Sequence, residues 1–523
     1  MPLLQANKIS YQFDNGERLF DQLSCTLNQR RVGLIGRNGI GKSLLSAILT
    51  KTLAPTEGTV ELHTSVASYS QLPSELLSSE VTIAQYLKLD SVLEALTRIE
   101  SGDCNPKWFD IVGEQWQLRQ ALSNELAALG LPNNPDFPCQ QLSGGQLARL
   151  QLWQLFKSQA GLLVLDEPSN HLDSQAREWL LQQIRDYPQA ILLISHDRQL
   201  LREMEHIWEL SSLGLTEYGG NYDFYRRQKD LETDAIERQV VSIQKQQKHL
   251  VQQAQLNRER AEQRAAQGNK IRKQGGQPKI LLNGMRSRAT AAASNRLKNE
   301  TSRKDLLQAK AQDLQARQER LKPQKMHLNE GNQSGSRLVT MIHAQLPAGR
   351  VQPITLQLSA KARLRLSGRN GCGKSTLLHV IAGRQNLVGG EMRVNASVFY
   401  LDQHFGLLDE SRSMLDNMML FCAGLQESDA RTLLAGIGFR RDRVFRLVEQ
   451  LSGGEKMKLA MLVVGHQAES PLLLLDEPDN HLDLDSKRLL ACTLQAYQGA
   501  FVLVSHDDEF VAECGVSEEY QLE

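Results

Sequence analysis

Short runs of consecutive apolar residues recur along the chain and predict the buried strands of a parallel β-sheet. Leu162–Leu165 and Leu472–Leu475 each lead into an aspartate, whereas Ala190–Ile194 and Ala500–Val504 each lead into a Ser-His pair. Strands that are buried on both faces carry such continuous runs instead of alternating polar and apolar residues. The pattern therefore predicts an α/β fold, with polar side chains gathered where the strands end.

The middle of the chain has a different pattern, in which apolar residues follow coiled-coil spacing. The positions are Ile236, Val240, Ile243, Leu250 and Ala254 in a first run and Leu307, Ala311, Leu314 and Leu321 in a second. Gly275-Gly276 and Asn283-Gly284 lie between the runs, where they would break a helix. We predict an antiparallel helical hairpin, with arms that reach roughly 55 Å by helix rise.

This middle segment is strongly basic, although the whole chain has 60 Lys and Arg and 60 Asp and Glu. Residues 226–336 contain 24 basic and 11 acidic residues, a net charge of +13, and residues 258–304 contain 13 and 3, a net charge of +10. Neutralising nucleic-acid phosphates releases counterions, which favours binding. The hairpin is therefore a candidate nucleic-acid contact, and the alternative is a solvated coiled coil whose charge only aids solubility.

Four groups of residues occur twice in the same order, so the chain is a tandem duplication. They are Gly36-Arg37-Asn38-Gly39-Ile40-Gly41-Lys42-Ser43 with Gly368-Arg369-Asn370-Gly371-Cys372-Gly373-Lys374-Ser375; Leu142-Ser143-Gly144-Gly145-Gln146 with Leu451-Ser452-Gly453-Gly454-Glu455; Leu165-Asp166-Glu167-Pro168-Ser169-Asn170-His171-Leu172-Asp173 with Leu475-Asp476-Glu477-Pro478-Asp479-Asn480-His481-Leu482-Asp483; and Ser195-His196-Asp197 with Ser505-His506-Asp507. Equivalent residues are 332 positions apart in the first group and 310 apart in the last two.

The repeat and the change in composition predict three domains. The first copy occupies residues 1–225, the basic hairpin 226–337 and the second copy 338–523. Because the offset falls from 332 to 310, the first copy holds 22 additional residues. We place them around residues 95–124, as a short extension of a helical subdomain.

Composition narrows the class of protein. No run of apolar residues approaches the 18 that suggest a membrane span, and the first residues lack the pattern of a signal peptide. The seven cysteines form no CxxC pair, so neither a zinc site nor a disulfide framework is indicated. We therefore expect a cytoplasmic protein, neither a membrane-spanning permease nor a secreted one.

The first repeated group has the spacing of a loop that binds phosphate. Glycines let the backbone N–H groups wrap closely around a phosphate at the start of a helix. Lys42 and Lys374 would reach the β- and γ-phosphates of a nucleotide, and the Ser43 and Ser375 hydroxyls would bind Mg²⁺. A chance glycine turn is the alternative for one such loop, but two copies with the same downstream groups argue against it.

The later groups supply the remaining chemistry of phosphate-bond hydrolysis. Asp166 and Asp476 at strand ends suit the Mg²⁺ shell, and Glu167 and Glu477 suit polarisation of the attacking water. His196 and His506 follow neighbouring strands and could contact the γ-phosphate. A solvated turn or a structural histidine is the alternative at each position taken alone.

Together these motifs resemble those of ATP-binding cassette ATPases, and more narrowly the ABC-F subfamily. That subfamily has two fused cassettes, a charged helical linker and no membrane domain, and the resemblance covers nearly the whole chain. Asn170-His171-Leu172-Asp173, its second copy from Asn480 to Asp483, and Tyr218-Gly219-Gly220-Asn221-Tyr222 carry the narrower match.

The resemblance implies a set of ATP-binding residues in addition to the two phosphate loops and the Asp-Glu pairs. Gln71 and Gln403 would link Mg²⁺ to the helical subdomain, and Phe13, with Tyr11 as the alternative, would stack on adenine in the first copy. The second copy has no aromatic residue at the matching place, where His343 is the nearest ring. The signature loops would be Ser143, Gly144, Gly145 and Gln146, and Ser452, Gly453, Gly454 and Glu455. The cassettes would face each other head to tail, so that each signature loop covers the ATP on the other cassette.

Three functions are compatible with the sequence. The resemblance implies a ribosome-associated ATPase that acts in translation or ribosome protection, with the basic linker directed toward rRNA and tRNA. A transporter ATPase that couples to a separate permease is a second possibility on fold-level analogy. DNA binding is a third, because a basic hairpin does not distinguish RNA from DNA.

Overall fold

The computed structural model describes residues 2–69, 81–170, 172–211, 213–274, 302, 305–310, 337–349, 352–402, 405–422, 424–466, 471–480 and 482–522. The predicted mixed α/β class is confirmed, and each sequence copy forms its own sheets. One unit comprises residues 1–223 and 324–523, and the other comprises residues 224–323.

The central sheet of the first copy is mainly parallel. The strands of this copy are β1 (Leu4–Gln12), β2 (Arg18–Leu27), β3 (Arg31–Gly36), β4 (Glu57–Leu62), β5 (Val66–Tyr69), β6 (Leu162–Asp166), β7 (Ala190–Ile194), β8 (His206–Ser211) and β9 (Gly214–Gly219). The central sheet has the order β5-β6-β7-β3-β8-β9, in which only β9 is antiparallel to its neighbour. Every residue of β6 and β7 is buried, as their continuous apolar sequences predict.

The second copy repeats this arrangement. Its strands are β10 (Arg337–Gln345), β11 (Ile354–Ser359), β12 (Arg363–Gly368), β13 (Gly389–Val394), β14 (Val398–Leu401), β15 (Leu472–Asp476), β16 (Phe501–Val504) and β17 (Glu518–Leu522). The central sheet β14-β15-β16-β12-β17 is parallel throughout. The loops after β12, β15 and β16 therefore leave the same edge of the sheet, as do those after β3, β6 and β7 in the first copy.

A second, antiparallel sheet covers each central sheet. Its order is β2-β1-β4 in the first copy and β11-β10-β13 in the second. In the first copy the apolar residues Leu4, Ile9 and Leu27 of this layer pack with Leu34 of β3 and Ile48. This core fixes the position of the loop that follows β3.

The helices of the first copy are α1 (Lys42–Leu49), α2 (Ile83–Tyr86), α3 (Asp90–Glu100), α4 (Pro106–Val112), α5 (Leu118–Ala128), α6 (Gly144–Lys157), α7 (Ser174–Asp186) and α8 (Arg198–Arg202). One long helix, α9 (Tyr222–Gln274), follows. The helices of the second copy are α10 (Lys374–Ile381), α11 (Met414–Phe421), α12 (Glu427–Gly436), α13 (Gly453–Gly465), α14 (Leu484–Ala496) and α15 (Asp508–Glu513). Short 3₁₀ helices span Cys139–Gln141, Arg441–Phe445 and Val448–Gln450.

The helical subdomains of the two copies differ in length. α11 and α12 of the second copy correspond in sequence to α2 and α5, so the additional residues of the first copy include α3 and α4. Leu93, Leu96 and Val112 of this addition pack into the same core as Leu122 and Leu126 of α5. The added helices are thus an integral part of the first helical subdomain.

The middle segment contains the 53-residue helix α9. Residues 305–310 are also helical, and Gln247 Nε2 donates to the Leu307 carbonyl oxygen at 3.4 Å. The breaks at Gly275-Gly276 and Asn283-Gly284 lie outside the described residues, as does most of the second apolar run. The complete hairpin and its coiled-coil packing therefore stay predictions.

Candidate functional site

A glycine-rich loop joins β3 to α1 and surrounds the Lys42 side chain. Gly39 and Gly41 have φ values of 78° and 97°, a backbone region that side chains other than glycine rarely adopt. Lys42 is buried, and its Nζ donates hydrogen bonds to the carbonyl oxygens of Gly36 at 2.8 Å and Arg37 at 3.2 Å. The loop thus holds an ammonium group at the N-terminus of a helix, an arrangement that favours phosphate.

The loop between β12 and α10 has nearly the same geometry. Gly371 and Gly373 have φ values of 81° and 102°. Lys374 is buried, and its Nζ donates to the carbonyl oxygens of Gly368 at 2.8 Å and Arg369 at 3.1 Å. Ile40 and Cys372 hold equivalent places, since each donates its N–H to the carbonyl of the preceding arginine, Arg37 or Arg369, at 3.3 Å.

Two aspartates lie beside the loops at the ends of β6 and β15. Asp166 is hydrogen bonded to the Ser43 side chain, and Asp476 to that of Ser375. Tyr400 Oη also donates to Asp476 Oδ2 at 2.9 Å. Burial raises the pKa of both aspartates. A hydroxyl beside a carboxylate supplies the hard oxygen ligands that Mg²⁺ prefers, so the residues present fit this cation.

The glutamate after each aspartate has an unusual backbone conformation. Glu167 and Glu477 have φ values of 49° and 50°, a left-handed conformation that costs about 1–3 kcal/mol for a residue other than glycine. Their N–H groups donate to the carbonyls of Ile194 and Val504 on the neighbouring strands, at 2.8 and 2.9 Å. In each copy a histidine Nε2 lies 3.6 Å from glutamate Oε1, His196 from Glu167 and His506 from Glu477.

The two glutamate–histidine pairs differ electrostatically. Burial raises the pKa of Glu167 to about 7, against the opposing effect of Lys42. The neighbouring His506 ring lowers the pKa of Glu477. Burial, reinforced by the Lys42 charge, lowers the pKa of His196 well below its ordinary value, so this imidazole is neutral at pH 7.

A cavity of about 400 Å³ lies at the first phosphate loop and is lined by both copies. From the first copy it is lined by Phe13, Leu19, Asn38, Gly39, Gly41, Lys42, Ser43, Leu44, Asp166, Glu167, Ser169, Asn170, Arg177, His196 and Asp197, and from the second by Asp479, Asn480, Leu482 and Lys487. The structure thus gathers most of the predicted residues of the first copy around one space.

Direct contacts join the first phosphate loop to the second copy. The N–H of Asn38 donates to Asp483 Oδ2 at 3.1 Å, and Arg37 Nε lies 3.5 Å from Asp485 Oδ2. Burial lowers the pKa of Lys458 on α13, and the charge of Arg37 acts in the same direction. The helix that begins with the second signature loop therefore lies near the first phosphate loop.

Both signature serines cap helices. Ser143 Oγ accepts from the N–H of Gln146 at 3.3 Å, and Gln146 Oε1 accepts from the N–H of Ser143 at 3.0 Å. Ser452 and Glu455 make the same reciprocal pair at 3.4 and 3.0 Å. The Gln146 and Glu455 side chains therefore hold the helix ends, and the second signature loop does not line the 400 Å³ cavity.

The region predicted to contact adenine differs between the copies. Phe13 lines the cavity, and its ring meets that of Tyr11 edge to face at 5.4 Å. His343 instead lies exposed at an irregular point of β10 with φ of 48°, the conformation that Lys8 adopts in the first copy at φ of 47°. His343 is therefore the counterpart of Lys8 and does not occupy the place of Phe13.

Some predicted residues lie outside the described part of the chain. These are Gln71 and Gln403, together with His171 and His481. Their predicted links to Mg²⁺ and to the subfamily pattern stay predictions.

Sequence reasoning missed several residues that line the cavity or its edge. Asp479 and Lys487 are buried there, with Lys487 Nζ 3.8 Å from Asp479 Oδ2 and 3.3 Å from Asp507 Oδ2. Ser169 and Arg177 hold the equivalent positions in the first copy. The sequence carried a sign of their importance, because the residue type at each of these positions differs between the two copies.

Comparison with known proteins identifies the repeated units. The family model described as ABC transporter matches residues 20–170 and 351–480. The protein YdiF of Bacillus subtilis (strain 168) is 30% identical to this chain, over 98% of the chain and 78% of YdiF. The ATP-binding protein Uup of Escherichia coli (strain K12) is also 30% identical, over 94% of the chain and 76% of Uup.

Two solved structures share the fold over most of the chain. The archaeal ribosome recycling factor aABCE1, in complex with the ribosomal stalk protein aP1, gives a TM-score of 0.52 at 16% identity and covers 98% of this chain and 87% of its own. A model of ribosome-bound archaeal Pelota and ABCE1 gives 0.53 at 15% identity, over 96% and 74%. At these identities the likeness shows the architecture alone.

Two features are absent from the described residues. None of their helices is long and apolar enough to cross a membrane. Within the same residues, no cluster of three or more His, Cys, Asp and Glu side chains could hold a metal ion.

Proposed function

We propose that this chain, which belongs to the ABC-F subfamily of ATP-binding cassette ATPases, uses ATP at two composite sites to control its binding to ribosomal RNA. The observation that carries the composite sites is the contact of the first phosphate loop with Asp483 and Asp485 of the second cassette. A loop that touches the opposite cassette can couple ATP occupancy to the closure of the pair.

In this proposal each phosphate loop binds the phosphates of one ATP. The loop N–H groups and Lys42 or Lys374 contact the β- and γ-phosphates. Ser43 and Asp166, with Gln71, would hold Mg²⁺ in the first site, and Ser375 and Asp476, with Gln403, would hold it in the second. The bound cation would neutralise charge on the β- and γ-phosphate oxygens.

Glu167 and Glu477 would orient the attacking water and accept its proton. The left-handed backbone at both residues turns each carboxylate toward the histidine across the strand ends. His196 and His506 would contact the γ-phosphate. The N-termini of α6 and α13 would favour its negative charge from the opposite cassette.

The head-to-tail arrangement predicts which pairs of substitutions act on one ATP. Lys42→Ala and Ser452→Arg both damage the first composite site, so their effects on ATP affinity should be strongly non-additive. Lys42→Ala and Ser143→Arg damage different sites, so this matched pair should be additive. Nucleotide-binding titrations of the single and double variants measure whether the effects on ATP affinity are additive. Additivity of the first pair would contradict the head-to-tail assignment.

The basic middle segment supports RNA as the partner. Its net charge of +13 is balanced by acidic cassettes in a neutral chain, so positive charge is concentrated away from the ATP sites in sequence. Each Lys or Arg that contacts a phosphate releases counterions, and this release favours binding. The archaeal ribosome recycling factor with the same fold is named for a ribosomal role, which agrees with this partner.

Substitution of the basic residues tests the RNA contact. Replacing Lys270, Arg272, Lys273 and Lys279 with glutamine should leave basal ATP hydrolysis intact but weaken ribosome association and flatten its salt dependence. If all four contact phosphates, the slope of log K against log salt should fall by about 3. Co-sedimentation with ribosomes at several salt concentrations measures both quantities.

The control for this experiment uses acidic cassette residues that are exposed. Glu178→Gln and Glu518→Gln should leave the salt slope unchanged. An unchanged slope in the four-residue variant would favour the solvated coiled coil. Preferential retention on branched DNA over ribosomes, or on vesicles that carry a permease, would favour one of the alternative functions.

A further inference from the structure

The histidine of the second site is contacted by side chains of the first cassette. Ser174 Oγ lies 3.4 Å from His506 Nδ1, and Arg177 Nη1 donates to the His506 carbonyl oxygen at 3.3 Å. Ser174 and Arg177 both lie on α7, which begins directly after Asp173, whereas His506 follows β16 of the second cassette. Backbone and ring of His506 are therefore both held across the interface.

The Ser174 contact is compatible with a proton on the far nitrogen of the His506 ring. His506 Nε2 faces the Glu477 carboxylate, with 3.6 Å to Oε1. A proton on Nε2 makes this approach favourable, whereas the other tautomer would direct a lone pair at the carboxylate. With Nε2 protonated, Nδ1 is an acceptor, and the Ser174 hydroxyl is its donor. The same tautomer would offer an N–H to the γ-phosphate in the role proposed for His506.

The first site lacks this support. The residue equivalent to Ser174 is Leu484, which has no hydroxyl group. His196 is buried, and among the described residues neither of its ring nitrogens has a hydrogen-bond partner, whereas His506 lacks one only at Nε2. Lys487, the equivalent of Arg177, pairs with Asp479 and Asp507 of its own cassette. The two cassettes therefore differ in what each offers to the histidine of the other.

We propose that Ser174 is a positioning residue for His506, supplied from the opposite cassette, and that this contact makes the two composite sites unequal. The site with Lys374, Glu477 and His506 is organised for hydrolysis by α7. The site with Lys42, Glu167 and His196 has an unsupported imidazole and turns over more slowly. The inference rests on the proposed roles of the glutamates and histidines.

Kinetics in single-site backgrounds test the proposal. In the Glu167→Gln protein the remaining hydrolysis comes from the second site, and Ser174→Ala should lower its kcat about tenfold, the lower end of the effect of losing an orienting partner. KM for ATP should change less than twofold, because Ser174 would act on the orientation of His506 and not on ATP binding. The loss should be several-fold smaller in the Glu477→Gln protein, where only the first site works.

Three further variants separate orientation from general damage. Ser174→Thr retains the hydroxyl and should restore most of the kcat. Gln175→Ala alters the exposed neighbour on the same helix turn and should have no effect. Leu484→Ser introduces a hydroxyl at the position equivalent to Ser174 and should raise the first site's kcat about two- to fivefold, in line with a gained orienting hydrogen bond.

Inactivation of one site can also stop hydrolysis at the other. A spectroscopic measurement then tests the proposal independently of the hydrolysis rate. In protein labelled with ¹⁵N-histidine, with His506 assigned from a His506→Gln variant, the wild-type ring should be the Nε2–H tautomer. Ser174→Ala should give a mixture of tautomers. An Nδ1–H tautomer in the wild-type protein, or equal kinetic losses in both backgrounds, would overturn the inequality of the sites. Full hydrolysis in both single glutamine variants would instead overturn the proposed catalytic roles.

Discussion

Replacing both Glu167 and Glu477 with glutamine should lower ATP hydrolysis at least about a hundredfold, since a positioned general base contributes 10²–10⁴ in rate. Glutamine keeps the shape of the side chain but cannot accept the proton of the attacking water. The phosphate loops, Ser43 and Asp166 are unchanged, so ATP should still bind. The variant should therefore accumulate as a closed, ATP-bound protein.

Two measurements check this expectation together. Phosphate release gives the rate, and nucleotide retained after rapid desalting gives occupancy. Glu178→Gln with Glu518→Gln, at exposed positions of the same two cassettes, is the matched control and should hydrolyse ATP normally. Undiminished hydrolysis in the double variant would show that neither glutamate is the base. The trapped protein is also the form that should bind ribosomes most tightly.

Glu513→Gln should destabilise the folded protein by about 1–3 kcal/mol, because it removes one carboxylate charge from the buried guanidinium of Arg198, although Glu513 itself is 29% exposed. Arg198 is 1% exposed, and its Nη1 lies 2.7 Å from Glu513 Oε1 and 3.6 Å from Glu509 Oε2. Arg198 belongs to α8 of the first cassette and both glutamates to α15 of the second. The substitution would leave a buried guanidinium short of negative charge at the junction of the two cassettes.

The repeat itself supplies the control. Glu203 holds the position in the first cassette equivalent to Glu513, and it pairs with Arg185, whose side chain is 54% exposed. Since exposed ion pairs contribute little to stability, Glu203→Gln should have little effect. Urea unfolding followed by a probe in each cassette measures both variants. Equal midpoints for Glu513→Gln and Glu203→Gln would contradict a stabilising role of the buried pair.

Sequence alone determined the duplication, the α/β class and the ATPase family of this protein. These conclusions depend on local constraints that leave a direct mark on the sequence. Glycines at fixed spacing are needed where φ is positive beside a phosphate, as at Gly41 and Gly373, and a strand buried on both faces requires a continuous apolar run, as in β6. Each constraint acts within a few residues, so a motif reveals it.

Other features depended on contacts between residues that are far apart in sequence. The approach of Asp483 to Asn38 joins residues 445 positions apart, and the Ser174–His506 contact spans 332. The left-handed backbone of Glu167 and Glu477 likewise follows from hydrogen bonding to the neighbouring strand and not from their own preference.

The two copies are nearly identical in their motifs, and the sequence predicted two composite sites that differ in the ring available to adenine. The tertiary structure sets Ser174 against His506, and it brings Lys487 and Asp479 to the cavity at Lys42. No periodicity or spacing records which side chains meet across an interface, because that depends on how the folded cassettes pack. The family and its chemistry were readable from the sequence, whereas the difference between the two sites was decided only by the packing of one cassette on the other.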